Sequence, residues 1–187
     1  MTSVNLKSTD TYSTSKLLHI MGGLELRMQQ FYLQLSHRFA KPEGIRIFWD
    51  SLAQQESVHA TIIHTLSNMY RNNPNMFNEM VEMDYLTIAK VEEFIKTSED
   101  KLSNENFDLN SALQEAYDLE TLEINEIYDR IIESPKAPFR AVIDHLVESE
   151  EAHLNALIEA ILKYSTDAGL KEKAVILRSS LTTQTAA

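Results

Sequence analysis

The chain contains no cysteine, which removes disulfides, thiolate nucleophiles, iron–sulfur clusters and any Cys-ligated iron centre from consideration. Redox chemistry in such a chain must draw its electrons from elsewhere. Glycine and proline are scarce, four of each in 187 residues, too few for a turn-rich β protein, and good helix formers fill the intervals between them. Clusters of Lys and Arg are also missing, and the formal net charge is −11. A surface this acidic lacks the cations that phosphate contact requires, so neither nucleic acid nor an anionic membrane is an expected partner. No apolar run approaches the roughly eighteen residues of a membrane span, and the Ser/Thr-rich stretch from Met1 to Lys16 has no signal-peptide core. A soluble, cytoplasmic protein is the expectation.

What is present reads as helix. With 43% hydrophobic residues the chain can bury one sizeable core, and its length favours a single domain. All four prolines, Pro42, Pro74, Pro135 and Pro138, stand where helices should stop. Between them the apolar residues recur at helical spacing. A first helix is expected over about Ser15–Phe39, with Leu18, Met21, Met28, Phe31, Tyr32 and Leu35 inward. A second spans about Glu43–Tyr70, with Phe48, Leu52, Ile63, Leu66 and Met69 inward. A third, about Asn110–Glu133, buries Leu113, Ala116, Ile124, Ile127 and Ile131, and a fourth, about Pro138–Tyr164, buries Phe139, Val142, Leu146, Leu157, Ile161 and Tyr164. The segment from Pro74 to Asn110 is too long for a tight turn; it holds a short helix over Asp84–Glu99 and forms a long crossover between the second and third helices. A flexible N-terminal arm over 1–14, a four-helix bundle over 15–165 and a short C-terminal helix with its tail over 166–187 complete the expected organisation.

Each core stripe is interrupted by residues that do not belong in a core. Glu25 breaks the first stripe, Glu56 and His59 the second, Glu120 the third, Glu150 and His153 the fourth. The interruptions form two copies of one pattern, a lone Glu followed 31 or 30 residues later by Glu-x-x-His. Residues three apart on a helix lie one turn above each other and can ligate the same ion. An ionised carboxylate buried without a partner costs several kcal/mol, so repeated placement on core faces calls for cations. Four carboxylates and two imidazoles suit a pair of divalent transition metals, the constellation of di-iron carboxylate bundles. Carboxylate and imidazole ligation favours two Fe ions, with Mn as the other candidate.

Among the remaining polar residues, Glu115 is expected to be a solvated charge on the flank of the third stripe. Glu151 is expected to point away from the site. His19, His37, His64 and His145 lack a Glu partner and are read as surface or helix-flank residues, and Trp49, Met21, Met28 and Met69 as core filler. Tyr32, at the inner edge of the first helix, is within reach of a ligand carboxylate or else ordinary core packing.

Several segments together resemble the rubrerythrin branch of the ferritin-like superfamily. They are Leu24-Glu25 with Phe31-Tyr32, Ala53-Gln54-Gln55-Glu56-Ser57-Val58-His59, Ala116-Tyr117-Asp118-Leu119-Glu120 and Glu148-Ser149-Glu150-Glu151-Ala152-His153. The resemblance covers about residues 15–165 and implies an antiparallel four-helix bundle. It implies Glu25, Glu56, His59, Glu120, Glu123, Glu150 and His153 as metal ligands, Glu123 being the extra carboxylate one turn after Glu120. It further implies hydrogen peroxide or dioxygen as oxidant, and a homodimer. The rubredoxin domain of that family is missing here, so the expected reductant is an external electron-donor protein. Two other readings stay open: a ferritin-type ferroxidase or iron store, and a non-enzymatic bundle in which metal is structural.

Overall fold

Ser13 begins the first long helix by turning its hydroxyl back onto the backbone N–H of Lys16 at 3.3 Å, the N-cap arrangement that satisfies one of the unpaired amides of a first turn. The computed structural model describes residues 9–77, 80–123 and 137–184. From Ser13 the chain enters α1, Thr14–Arg38, which ends three residues short of Pro42. Pro42 caps α2, Glu43–Asn72, with its extended backbone, and Pro74 opens a single 3₁₀ turn beyond it. Then follow α3, Tyr85–Leu102; α4, Leu109–Glu123; α5, Ala137–Tyr164; and α6, Ala168–Gln184. Pro138 sits in the first turn of α5, where no amide is needed for the helix ladder.

The chain is predominantly α-helical, as its composition implied. α1 and α2 pack as an antiparallel pair, α5 lies against α2 and α4, α3 against α4 and α1, and α6 against α5. The expected stripes lie inside: Leu18, Met21, Met28, Phe31, Tyr32 and Leu35 of α1, Leu52, Ile63 and Leu66 of α2, Leu113 and Ala116 of α4, and Leu146, Leu157 and Ile161 of α5 are all buried. Phe48, Met69, Val142 and Tyr164 are half-buried against them. Ile124, Ile127, Ile131 and Phe139 lie outside the residues whose side chains are described. The crossover helix is longer than expected and buries Ile88, Val91 and Ile95.

Two differences from the sequence reading concern the termini of this scaffold. Thr9–Ser13, expected within a flexible arm, form strand β1, which pairs antiparallel with β2, Met80–Asp84, in the register Thr9↔Asp84 to Ser13↔Met80. Alternating Tyr12 and its neighbours satisfy their backbone groups on the crossover, and Tyr12 is buried. The C-terminal helix, expected to be short, runs from Ala168 to Gln184, its start capped by Asp167, which accepts the Leu170 amide at 3.0 Å.

Polar locks hold the helices in place at the end remote from the ribbon. Arg38, in the last turn of α1, donates to the carbonyls of Leu102, Asn104 and Phe107 at 2.6, 2.7 and 2.8 Å. It thereby supplies donors for carbonyls that the end of α3 leaves without helical partners. Asn110 plays the complementary part at the α5–α6 turn, its Oδ1 accepting from Ser165 Oγ and the Thr166 amide at 2.9 Å each.

Candidate metal centre

Glu25 stands thirteen residues before the end of α1 and Glu56 thirteen after the start of α2 (38 − 25 and 56 − 43). At about 1.5 Å per residue an antiparallel pair returns both to one level, roughly 20 Å from the turn. His59 lies one turn below Glu56 on the same face. From the other side α4 contributes Glu120 and α5 contributes His153. All five are at most 1% exposed.

The groups converge closely. His59 Nδ1 lies 3.5 Å from Glu25 Oε2 and 3.4 Å from Glu56 Oε2. The other Glu56 oxygen, Oε1, lies 3.4 Å from His153 Nδ1, and His153 Nε2 lies 3.4 Å from Glu120 Oε1. Glu56 therefore offers one oxygen to each imidazole, and the two rings stand 5.9 Å apart between centroids. Ligand atoms of Glu56, His59 and His153 all fall within 4.8 Å of one another, a group able to hold a metal ion.

The electrostatics are those of a site short of positive charge. No Lys or Arg is buried among the described residues, so three carboxylates share a dry interior with two imidazoles. Among the described residues, neither oxygen of Glu56 and neither nitrogen of His153 makes a hydrogen bond. Burial drives the Glu56 carboxyl well above the usual carboxylate range, reinforced by the neighbouring charges of Glu120 and Glu25 and only partly opposed by His59. Burial likewise lowers His153 to about 3, with His59 adding to the effect. Burial thus favours the neutral forms of Glu56 and His153, whereas a divalent cation would stabilise the carboxylate and take the imidazole lone pair.

Two further side chains orient the cluster. Tyr32 donates its hydroxyl to Glu120 Oε1 from a fully buried position and stacks on Trp49 at 6.0 Å. Ser149 Oγ lies 3.0 Å from His59 Nε2. With the ring proton on Nε2 donated to Ser149, Nδ1 keeps its lone pair toward the carboxylates. Ser149 was missed in the sequence; its only signal is that it immediately precedes Glu150, on the turn that faces α2.

The backbone puts Glu150 on α5 one turn before His153 and makes Glu123 the last residue of α4, one turn after Glu120. Both side chains lie outside the described ones. Glu115 is a correction: it is only 9% exposed, not solvated, because Ser98 Oγ and Lys101 Nζ of α3 donate to it at 2.7 and 2.6 Å. It ties α3 to α4 rather than joining the cluster. His19, His37, His64 and His145 are exposed, and Glu151 is half-buried. Trp49 and Met28 are fully enclosed. No helix among the described residues is long and apolar enough to cross a membrane.

No protein-family model, curated protein or solved structure matches the chain.

Proposed function

We propose that Glu25, Glu56, His59, Glu120, Glu150 and His153 hold two divalent transition-metal ions, with Glu123 joining them, in a rubrerythrin-like, ferritin-like bundle. The protein would be a non-haem di-iron oxidoreductase. The observation that carries the reading is the split of Glu56: its two oxygens face two different imidazoles at 3.4 Å each, the placement of a carboxylate shared between two ions. Fe, with Mn as the other candidate, fits this mixture of carboxylate oxygen and imidazole nitrogen. A pair of ferrous ions would supply two electrons together to hydrogen peroxide or dioxygen.

The chain's own residues set the conditions for that chemistry. Glu25, Glu56, His59, Glu120 and His153 are shut off from water, which strengthens every interaction with charge in the site. Tyr32 fixes the rotamer of Glu120 and holds a proton beside it. Ser149 fixes the ring of His59. With no cysteine in the chain, electrons for the next turnover would come from an external donor protein in the cytoplasm.

Metal analysis of aerobically purified protein, together with its visible spectrum, tests the proposal. Two irons per chain and a near-ultraviolet ligand-to-metal absorption that bleaches on reduction and returns with stoichiometric peroxide are expected. A second reading is favoured by the compact trio Glu56, His59 and His153, two imidazoles and one carboxylate that suit a single iron. One ion per chain, unchanged by Glu120→Gln, selects that reading instead. Accumulation of many irons per chain without peroxide turnover would point to an iron store.

A further inference from the structure

On the outer side of the α1–α2 pair runs a groove of about 400 Å³, separate from the buried cluster. Its floor is Gly22-Gly23, two consecutive glycines in the middle of a 25-residue helix. Neither has the positive φ that would require glycine. A Cβ on Gly23 would meet nothing within 4 Å, and one on Gly22 would make only an ordinary 3.6 Å contact with Ile63 Cγ2. Alanine would fit at both places and would be the better helix former. The bare backbone therefore answers to something outside the helices themselves, an object that lies against it.

The walls say what kind of object. Arg71 stands at one end and Ala60 and Leu26 at the other, Leu26 being 52% exposed, with His64 and His19 between them. Among the described residues no Asp or Glu lines the groove, although the chain carries 28 of them. Arg71, His64 and His19 have no ion pair or hydrogen bond among the described residues. A second copy of the chain meeting this face about a two-fold axis would bring the same patch against itself, cations with no acid to receive them. An anionic ligand with an apolar body satisfies both ends. Along α2 the groove extends from Arg71 to Ala60, eleven residues (71 − 60), or about 16 Å, the scale of a medium-chain acid.

We infer that this groove binds a medium-chain fatty carboxylate, its head group on Arg71 and its chain over Gly22-Gly23 toward Leu26. The carboxylate takes a charge-assisted pair from the guanidinium, and the chain covers backbone that no side chain shields. The size lies within the usual range for small-molecule pockets. The site is independent of the metal reading: none of its lining residues belongs to the proposed ligand set.

Titration calorimetry with octanoate, and with octanol as its uncharged counterpart, tests the assignment. Octanoate is expected to bind at one site per chain and octanol about tenfold more weakly. Arg71→Gln, an exposed change that leaves the core intact, should weaken octanoate about tenfold and leave octanol nearly unaffected. Gly23→Leu should fill the groove and abolish both, with a melting temperature no lower than that of the parent. Absence of saturable octanoate binding overturns the inference, as does Arg71→Gln or a folded Gly23→Leu variant that binds octanoate like the parent. If octanoate is ignored while phosphatidylglycerol vesicles retain the protein through Arg71, the groove reads a membrane and the inference is wrong. A parent dimer that Gly23→Leu splits, with no response to octanoate, would assign the glycines to a second copy and equally overturn it.

Discussion

Glu56 and His153 sit in a dry interior where all four of their polar side-chain atoms lack hydrogen bonds among the described residues, a state that costs several kcal/mol unless a further charge shares the space. Their protonation follows with a definite sign in the metal-free protein. Glu56 has its carboxyl raised above the ordinary 4.5, so above pH 4.5 the unfolded chain has released a proton that the folded one retains. Its contribution to stability is present at low pH and lost as pH climbs toward the raised value. His153, lowered from 6.5 to about 3, acts oppositely: its contribution is present above pH 6.5 and lost as pH falls toward 3. Comparison of metal-free parent with Glu56→Gln by denaturant melts should show the parent losing ground to the variant as pH rises above about 4.5, by up to roughly 1.4 kcal/mol per unit. A constant difference would contradict the burial of an ionisable Glu56. At the same scale, His59→Ala with His153→Ala should take bound iron from two per chain to near none, measured by plasma emission. A double variant that retained full iron would remove both imidazoles from the ligand set. These positions were legible in the sequence because an acid on an apolar stripe violates the rule that makes the stripe. Glu115 was not, since its partners Ser98 and Lys101 belong to a different helix and no spacing within α4 announces them.

Whole elements were read well where an apolar period is long and a proline ends it. α1, α2 and α5 lie within two residues of their expected limits at each end, because cap and proline signals are local. The ribbon between Thr9–Ser13 and Met80–Asp84 escaped, since strand pairing over about seventy residues of separation depends on where the helices deliver its two halves. The start of α4 offers a test of the local rule. Asp108 Oδ1 accepts both the Ser111 amide and the Ser111 hydroxyl at 2.8 Å, and these bonds hold its carboxyl below the usual range. Asp108→Ala is expected to destabilise the protein by about 1 kcal/mol in denaturant melts. That loss should shrink as pH falls through the carboxyl's own titration, since a protonated cap no longer accepts as strongly. A loss unchanged at acid pH would mean that the helix start does not depend on the carboxylate.

For the molecule as a whole, a metal bound only by the folded state adds stability by mass action. Free ferrous or manganous ion at about a thousand times its dissociation constant should add about 4 kcal/mol, raising the melting temperature by roughly 8–16 °C for a chain of this size. Calorimetry under anaerobic conditions checks it, and a melting temperature indifferent to both ions would leave the buried acids unexplained by metal. By itself the amino-acid sequence determined the helical class, the helix limits beside prolines and the inward placement of Glu25, Glu56, His59, Glu120 and His153, because each follows from interactions spanning one or two turns. Tertiary structure alone decided which oxygen of Glu56 meets which imidazole, that Tyr32 serves Glu120, that Ser149 turns His59, and that two glycines open onto a groove edged by Arg71. Those relations join residues tens of positions apart on separate helices, and only the packing of one helix against another sets their distances.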